Sequence, residues 1–411
     1  MYLKKKSARI IYYFLPFCLI FCLLFNFKVR VIPFLTSNKV LAILGMFNFF
    51  FMGKTKTITK KLYNYLQFYC LILSITLIVL IINISPDISL FFYFTYNFII
   101  CVFAAFFVVT VLKKKKIALI SLMKLIAYVN LFQILIVIMT ILSPGFKNFL
   151  MSFQSFGDVD VRIKALLGTR NFGLGFGFDY GTGEITLASL CCLYLFLTER
   201  KKYWRWFFIA ILISAVSVTV GRTMFVGIMI QGLFFLFCPT FFKIRKRKVI
   251  ISSLILGGLG LSIVILFVDF TVFTGTLAWV FSELIQLIVN GKITHGSLYI
   301  LFGDMLFYPG DKTFFLGDGF YLYEGKQYMH TDFGWLRLIL YGGIGFALAF
   351  LTFIIESRKL IFVNKSNSLR VLANIFVFFQ LVFLIKIMHL FLPFFLLFIL
   401  YSQVNENENI I

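Results

Sequence analysis

Residues Leu71–Ile82 read LILSITLIVLII and residues Phe98–Leu112 read FIICVFAAFFVVTVL, and neither stretch contains a charged side chain. A water-soluble helix keeps a polar face, so segments this uniformly apolar are typical of helices surrounded by lipid or protein. Inside hydrocarbon every backbone amide needs a partner within its own structure, which leaves helices and closed barrels. Because the apolar residues are continuous and do not alternate with polar ones, the pattern predicts an all-α membrane protein.

The composition of the whole chain agrees with this prediction. Hydrophobic residues make up 61% of the 411 residues and charged residues 13%, whereas soluble domains are about half apolar and a quarter charged. Since a spanning helix needs about 20 apolar residues, we predict about twelve transmembrane helices in one polytopic domain, residues 1–411. The predicted spans are 10–27, 31–52, 62–84, 88–112, 117–142, 185–198, 204–220, 224–242, 249–268, 333–355, 369–386 and 388–402.

The net charge of +23 is carried by short basic clusters between the apolar segments. The clusters are Lys4–Arg9, Lys54–Lys61, Lys113–Lys116, Arg200–Arg205, Lys243–Lys248 and Arg358–Arg370. Short basic loops mark the cytoplasmic side of a membrane protein and attract anionic lipid headgroups. With the N-terminus inside, alternation places every cluster and both chain ends in the cytoplasm. We therefore expect membrane lipids, and no nucleic acid, as partners, and a first helix that is retained.

Most of the 16 acidic residues fall on the opposite, outer side. They lie mainly in two long extracytoplasmic loops, near 143–184 and 269–332, and long loops in compact proteins are more often functional than idle. Within the second loop, Leu277–Val289 is short for a span and is interrupted by Glu283, so we expect a helix along the membrane surface. The outer face is the expected place of chemistry.

The first outer loop ends in the arginine- and glycine-rich segment RIKALLGTRNFGLGFGFDYGTGE, residues 162–184. Glycine allows tight turns and close approach of the backbone to a ligand. Guanidinium groups such as those of Arg162 and Arg170 pair with phosphate oxygens through two parallel hydrogen bonds. The segment is therefore either a diphosphate-binding loop or a flexible connector whose charges face water.

Gly221-Arg222-Thr223 forms the predicted outer tip of a hairpin between two spans. A charge this close to the bilayer is costly, and it is explained either by function or by extension of the side chain to the interface. Arg222 is thus a candidate anion ligand, with the interfacial position as the alternative.

The second outer loop closes with the stretch YMHTDFGWLR, which opens the next span. His330 is a candidate general base, and Asp332 could orient it or act as the acid or base itself. Alternatively, both residues cap the helix at a wet interface. Arg337 follows seven residues later, two turns deeper on the same helical face. The other histidines, His295 and His389, have no comparable neighbours in the sequence.

Taken in order, these motifs resemble those of a known family. They are an outer-loop arginine before a glycine-rich segment, Gly-Arg at a hairpin, FLGDGF at 315–320, HTDFG at 330–334 and LYGGIG at 340–345. This order, over about residues 160–350, is similar to that of the Wzy-type O-antigen and capsular polysaccharide polymerases. It is more distantly similar to that of the related O-antigen ligases.

The resemblance implies a glycosyltransferase of the bacterial cytoplasmic membrane whose active site faces the periplasm or exterior. It would transfer a polyprenyl-diphosphate-linked glycan onto a lipid-linked oligosaccharide repeat unit, building O-antigen or capsule without a metal ion, nucleotide or other cofactor. A flippase and a chain-length regulator would be its protein partners. Cations would stabilise the leaving diphosphate, and a base would take the proton of the attacking hydroxyl.

The candidate catalytic residues are His330, Asp332, Arg170 and Arg222, and the candidate diphosphate ligands are Arg170, Arg222, Arg162 and Arg337. Tyr180, Tyr321 and Tyr323 are candidates for stacking on sugars, or alternatively anchors at the membrane interface. Two other functions stay open. A flippase or transporter for lipid-linked oligosaccharides would need polar groups along a path through the membrane. A ligase-type glycan transferase is not separated from a polymerase by the sequence.

Overall fold

The computed structural model describes residues 2–32, 34–51, 60–155, 171–175, 178–199, 203–237, 282–283, 286, 289–362 and 366–406. Arg162 and Arg170, two of the predicted site residues, lie outside these ranges. The predicted span 249–268 and most of the expected surface helix Leu277–Val289 lie outside them as well.

Helices dominate the described ranges, which confirms the all-α class. They are α1 Tyr2–Leu24, α2 Ser37–Phe51, α3 Lys60–Ile82, α4 Ser89–Lys114, α5 Leu119–Leu142, α6 Pro144–Phe153, α7 Phe178–Thr198, α8 Trp204–Ser217, α9 Met224–Phe237, α10 Ser297–Tyr299, α11 Asp311–Leu316, α12 Gly334–Leu360, α13 Asn367–Phe383 and α14 Leu392–Glu406. The strands β1 Leu322–Tyr323 and β2 Lys326–Gln327 form a small antiparallel hairpin between α11 and α12.

Each predicted span other than 249–268 coincides with a helix. Within the described ranges, five helices are long and apolar enough to cross a membrane: Tyr65–Ile82, Ser89–Lys114, Leu119–Leu142, Gly181–Thr198 and Gly334–Leu360. A helix of about 18 residues rises about 27 Å, close to the thickness of the hydrocarbon core. Shorter apolar helical segments of 10–17 residues include Tyr12–Leu24 in α1. The chain is therefore a helical, membrane-embedded protein, while the count of twelve spans and their orientation stay predictions.

The first outer loop is shorter than predicted, because helices occupy both of its ends. α6 follows α5 directly, with a proline in its first turn and the Ser143 side chain accepting a hydrogen bond from Phe146 N at 3.2 Å. This is a favourable N-terminal cap. α7 begins at Phe178 and not near residue 185. Glu184, which was predicted to lie in the loop, is therefore a buried residue of α7.

The chain divides by its internal contacts into two compact units. Unit 1 comprises Met1–Asn48 and Phe103–Val280, and unit 2 comprises Phe49–Val102 and Phe281–Ile411. In unit 1, α7 is the central helix, since 89% of its apolar segment Gly181–Thr198 is buried and it packs against α5, α8 and α9. In unit 2, α12 is central and packs against α3, α11 and α13.

Within unit 1, segments predicted on the same side of the membrane contact one another. Residues 28–30 pair with residues 153–155, all of them predicted on the outer side. Away from them, Glu199 forms ion pairs with Lys124 and Arg205. Glu199 and Arg205 lie at the predicted inner ends of their spans, and Lys124 lies within the predicted inner half of the span 117–142. This packing agrees with the predicted alternation of the helices.

Unit 2 follows the same arrangement. Three connections predicted on the outer side, 83–88, 317–333 and 384–391, meet at one end, which we call the loop end of unit 2. Ser85 Oγ donates a hydrogen bond to Gly319 O at 2.8 Å, joining the first two connections. Gly334 packs closely against the backbone of the third connection. The loop end is where the predicted site residues of this unit are found.

Candidate functional site

The predicted site residues fall into different parts of the structure. The loop end of unit 2 contains Tyr321, Tyr323, His330, Asp332 and Arg337. Arg222 belongs to unit 1, in the turn between α8 and α9. Tyr180 lies in the first turn of α7, and its side chain is outside the described part of the chain, as are Arg162 and Arg170.

The glycine motifs 315–320 and 340–345 form one structural element. α12 is broken at Gly342–Gly343, where Gly343 has φ 72° and ψ −178°, a conformation essentially confined to glycine. A break in a helix leaves carbonyl groups without partners. Here Asp318 N–H donates to Leu340 O at 2.7 Å and Gly319 N–H donates to Tyr341 O at 2.9 Å. The loop thus supplies the hydrogen bonds that the broken helix lacks.

Asp87 fixes the part of the loop that follows. Its Oδ2 accepts hydrogen bonds from the backbone N–H groups of Tyr321 and Leu322, both at 2.6 Å, and its Oδ1 accepts one from Ser89 N at 3.0 Å at the start of α4. Hydrogen bonds to a charged acceptor are stronger than neutral ones. Asp87 therefore joins α4 to the loop and holds the backbone of Tyr321 in place.

Arg337 is a buried cation in the first turns of α12, with 6% of its surface exposed. Its Cζ lies 4.0 Å from the centre of the Tyr321 ring, and its Nη2 donates a long hydrogen bond of 3.4 Å to Tyr321 O. No carboxylate among the described residues forms an ion pair with it.

The position of Arg337 calls for an anion. Removing a cation from water costs several kcal/mol, whereas a cation–π contact contributes at most about 2 kcal/mol. The beginning of a helix is also its electropositive end, which raises the cost of a cation there. The described residues engage one of the guanidinium N–H groups of Arg337, and the remaining donors suit the paired oxygens of a phosphate.

Tyr321 serves as a support for Arg337, because the cation lies over its ring. Burial raises the pKa of Tyr321, the Arg337 cation opposes this effect, and the carboxylates of Asp87 and Asp332 add to it. The loop end therefore places one cation and two carboxylates around a single tyrosine. Arg337 and the Tyr93 ring both contact the Tyr321 ring, which limits the ring surface left for the sugar stacking that was predicted for Tyr321.

Tyr93 and His389 adjoin this cluster, and the sequence pattern did not identify either of them. The Tyr93 ring stacks on the Tyr321 ring with centres 6.3 Å apart and planes at 28°. Tyr93 Oη lies 3.3 Å from His389 Nδ1. His389 thus has the functional neighbours that its sequence surroundings lacked. The sequence signal was its place at the outer start of the last predicted span, on the same face as Lys386 near the last outer hairpin.

His330 projects from the loop and is exposed. It has φ 54°, and the preceding Met329 has φ 53°, so two successive non-glycine residues adopt a left-handed conformation that costs energy. Within the described ranges, His330 makes no hydrogen bond, to Asp332 or to any other residue. The predicted helical face shared by His330 and Arg337 is wrong, because α12 begins only at Gly334.

Asp332 lies in a short extended segment that is anchored to the preceding part of the loop. Thr331 Oγ1 donates to Met305 O at 2.7 Å and accepts a hydrogen bond from Phe333 N at 3.1 Å. Phe333 occupies the position before α12 and no side chain caps the helix there. The alternative in which His330 and Asp332 merely cap the helix is therefore wrong. Asp332 is half-buried beside Tyr321.

The hairpin that follows Tyr321 presents aromatic rings to the outside of the unit. Tyr323 is 55% exposed and packs edge-on against Phe320, which in turn stacks on Tyr328 at 5.5 Å. Tyr328 Oη donates to Asp318 Oδ2 at 3.0 Å, and burial, with the Asp318 carboxylate, raises the pKa of Tyr328 to about 12. Tyr323 is the predicted sugar-stacking residue whose ring is accessible.

In unit 1 the described part of the glycine-rich segment is held by two glutamine side chains. Gln133 exchanges hydrogen bonds of 2.7 and 3.3 Å with the backbone of Leu174. Gln154 bonds Gly173 O at 3.0 Å and Gly175 N at 3.1 Å. A Cβ at either glycine would come closer to the surrounding atoms than the 3.0 Å that real Cβ atoms keep. These two glycines therefore permit close packing of residues 171–175, while the cations at the head of the segment, Arg162 to Arg170, lie outside the described residues.

The hairpin that contains Arg222 lies beside this segment. Asn171 N–H donates to Thr219 O at 3.1 Å, and Thr182 Oγ1 lies 2.6 Å from Thr223 Oγ1. Arg222 itself is half-buried in the turn. The structure thus brings the end of the first outer loop next to the Gly-Arg motif, as a shared site would require.

Glu184 is a buried ionisable residue of unit 1. It is 7% exposed within α7, and within the described part of the chain its Oε2 has no hydrogen-bond partner. An ionisable side chain in a membrane-spanning segment is costly and is a candidate for a function. The sequence missed it because the run of glycines around it was interpreted as a loop.

No group of three or more His, Cys, Asp or Glu residues that could hold a metal ion occurs in the described ranges. Comparison of the chain with family models, with curated proteins and with solved structures gave no match.

Proposed function

We propose that this chain is a surface-polysaccharide polymerase, a glycosyltransferase that moves a polyprenyl-diphosphate-linked glycan onto a lipid-linked oligosaccharide repeat unit. The observation that carries the proposal is Arg337, a buried guanidinium without an ion-pair partner among the described residues. It lies at the end of unit 2 where three predicted outer connections meet. An anionic group presented at the outer face by a membrane-held substrate would complete this site.

The reaction explains why such a cation is needed. The bond between the sugar C1 and the diphosphate oxygen breaks, and its electron pair leaves with the diphosphate. Donors aimed at this developing charge lower the barrier, by about 3–4 kcal/mol for each donor in well-studied cases. Arg337 is held in place by Tyr321 and Asp87, so it meets the requirement that the donor be oriented before the reaction. By resemblance, Arg170 and Arg222, with Arg162, would supply further cations.

The attacking hydroxyl of the acceptor must lose a proton. Asp332, half-buried beside Tyr321, and the exposed His330 are the predicted acceptors. The accessible ring of Tyr323 is suited to hold a sugar, since aromatic faces stack on the apolar faces of pyranoses.

The proposal includes the cellular setting that the resemblance implies. The chain would reside in the bacterial cytoplasmic membrane with about twelve helices, both termini in the cytoplasm and the loop end of unit 2 facing outward. Membrane lipids would surround it, and a flippase and a chain-length regulator would be its protein partners. The donor carries its own leaving group, so no cofactor is part of the proposed reaction.

One observation favours the alternative of a flippase for lipid-linked oligosaccharides. Glu184 is buried in a candidate span, and among the described residues its Oε2 has no hydrogen-bond partner, as expected of a proton-coupled transporter. Lys124, another charge predicted within the membrane, gives no such support because it pairs with Glu199.

The test replaces Arg337 by Gln in the chromosomal copy, with Arg358→Gln as control. Arg358 is exposed in the last turn of the same helix, away from the loop end. We expect Arg337→Gln to lower polymer formation about 10²–10³-fold while the protein still accumulates, and Arg358→Gln to leave glycan length unchanged.

The form of the remaining glycan separates the candidate functions. Single repeat units at the cell surface support a polymerase. Long polymer retained on its lipid carrier indicates a ligase, and lipid-linked units trapped on the cytoplasmic leaflet indicate a flippase. Normal glycan in Arg337→Gln would remove Arg337 from the mechanism and the proposal with it.

A further inference from the structure

His389 is held rigidly in the turn between α13 and α14. The buried Gln380 donates from Nε2 to His389 O at 2.6 Å and accepts from Phe391 N at 3.1 Å, so its amide bridges both sides of the turn. The imidazole packs against the Phe391 ring at 5.2 Å. A side chain oriented by its surroundings in this way is prepared for a defined contact, whereas His330 is exposed and makes no hydrogen bond within the described ranges.

The pair formed by His389 and Tyr93 lies close to the anion site. Tyr93 stacks on Tyr321, and Arg337 lies over Tyr321, so the centre of the Tyr93 ring is no more than about 10 Å from the guanidinium carbon. Groups that act on the two sides of a glycosidic bond are typically separated by about 5–9.5 Å. This upper bound places Tyr93 and Arg337 in the same part of the loop end, within the length of a sugar diphosphate.

The imidazole of His389 is uncharged in the protein without substrate. Burial lowers its pKa to about 3, so one ring nitrogen carries a lone pair at neutral pH. With Nδ1 as the acceptor, Tyr93 Oη donates its proton to His389, and a phenolic oxygen that donates one hydrogen bond can also accept one from a second donor. A sugar hydroxyl is such a donor.

We infer that Tyr93 and His389 form the acceptor subsite and proton relay of this enzyme, an inference that rests on the proposed function. As the acceptor oxygen forms its bond to C1 and the bond from C1 to the diphosphate oxygen breaks, the hydroxyl proton passes to Tyr93 Oη. The proton of Tyr93 passes at the same time to His389 Nδ1. The imidazolium returns its proton to water when the product leaves.

The charges around the pair favour this transfer only when the donor is bound. The titratable and charged groups on the neighbouring elements are Tyr93, Tyr321, Arg337, Asp87, Asp332 and Lys386. A bound diphosphate neutralises Arg337 and adds negative charge, and both effects stabilise an imidazolium. Proton uptake by His389 is thereby coupled to the presence of the donor.

The test uses the purified full-length protein in lipid nanodiscs, with lipid-linked repeat units extracted from the host strain that lacks it. The variants are His389→Gln, Tyr93→Phe and His330→Gln, with His295→Gln, in the exposed part of the second loop, as the control. We expect His389→Gln and Tyr93→Phe to lower the turnover rate about 10²–10⁴-fold, as loss of general base catalysis does, and His295→Gln to leave it unchanged.

The dependence of the turnover rate on pH distinguishes a role of His389 in proton transfer from a purely structural role. The residual rate of His389→Gln is expected to rise in proportion to hydroxide, because solvent must then take the proton, whereas the rate of the natural protein levels off. Tyr93→Phe keeps the stacked ring and removes only the hydroxyl, so it decides the matter if His389→Gln does not fold.

The results distinguish this inference from the proposed function. Full activity of Tyr93→Phe, or a His389→Gln variant that remains active while His330→Gln is inactive, overturns the relay. If the relay is rejected in this way but Arg337→Gln is inactive in the same assay, the proposed polymerase function still stands. If Arg337→Gln is fully active as well, the proposed function fails too.

Discussion

Replacement of Gly343 by alanine tests the packing of the loop on the broken helix. The backbone of Gly343 lies in a region that costs other residues about 1–3 kcal/mol. The added Cβ would also overlap Phe315 O, closer than the 3.0 Å that real Cβ atoms keep. Relief of this overlap moves the loop away and weakens the two hydrogen bonds to Leu340 and Tyr341, each contributing about 0.5–1.5 kcal/mol. The expected loss of stability is about 4 kcal/mol.

Gly345 is the matched control. It lies two residues further along the same helix, and nothing within 4 Å would meet its Cβ. Alanine is favoured over glycine in a helix by about 1 kcal/mol, so Gly345→Ala should unfold at or slightly above the natural temperature. Thermal unfolding in detergent should place Gly343→Ala lower by about 10 °C. A Gly343→Ala protein as stable as the natural one would refute the account of the broken helix.

Three further outcomes follow from single contacts. Asp87→Ala leaves two loop amides without their charged acceptor and should lower the free energy of unfolding by about 1.5–3 kcal/mol, whereas Asp311→Ala at an exposed site should change it little. Glu184→Gln should leave the free energy of unfolding unchanged or raise it, because a buried amide carries no charge to desolvate. Glu199→Gln should lower the free energy of unfolding, because it removes the ion pair with Lys124. Urea unfolding of the two variants measures both effects. Burial raises the pKa of Glu199, but its hydrogen bond and ion pair with Lys124 outweigh this, so the folded-state pKa lies below the ordinary value. Ionised Glu199 therefore stabilises the fold above the unfolded pKa of about 4.3, and this stabilisation is lost as the pH falls through the folded-state pKa. In Glu199→Gln, the unfolding temperature should depend less on pH over this range.

The helices were predictable because their signal is local. An uninterrupted apolar run of the right length forms a helix in lipid whatever its neighbours are, and each described span shows this. The shortness of the span 185–198 indicated an earlier start of α7, but its full extent back to Phe178 was missed because the glycines and Glu184 before residue 185 are typical of a loop. Burial of α7 between α5, α8 and α9 outweighs the low helix propensity of its first turns. These tertiary contacts cannot be predicted from the local sequence pattern.

The site was predictable only in part, for a related reason. Arg337 was identified through its seven-residue spacing from His330, although the helical face that this spacing implied is absent because α12 begins only at Gly334. Asp87, Tyr93 and His389 were not singled out as site residues, since each looks ordinary in its own segment and gains its partners from connections that are distant in sequence. His330 was predicted as a base because Asp332 and Arg337 follow it in the chain, but in the structure it is exposed and forms no hydrogen bond with either within the described ranges.

The close fit between the loop at Gly317–Gly319 and the break at Gly342–Gly343 limits how this protein can be recombined. Each surface is shaped by the other, so exchange of one motif with a foreign chain would join a loop to a helix that it does not match. A hybrid protein should therefore receive residues 315–345 as one cassette. The hairpin and the aromatic rings within that cassette would be transferred with it, so the stability of the loop and whatever its rings bind would be inherited together.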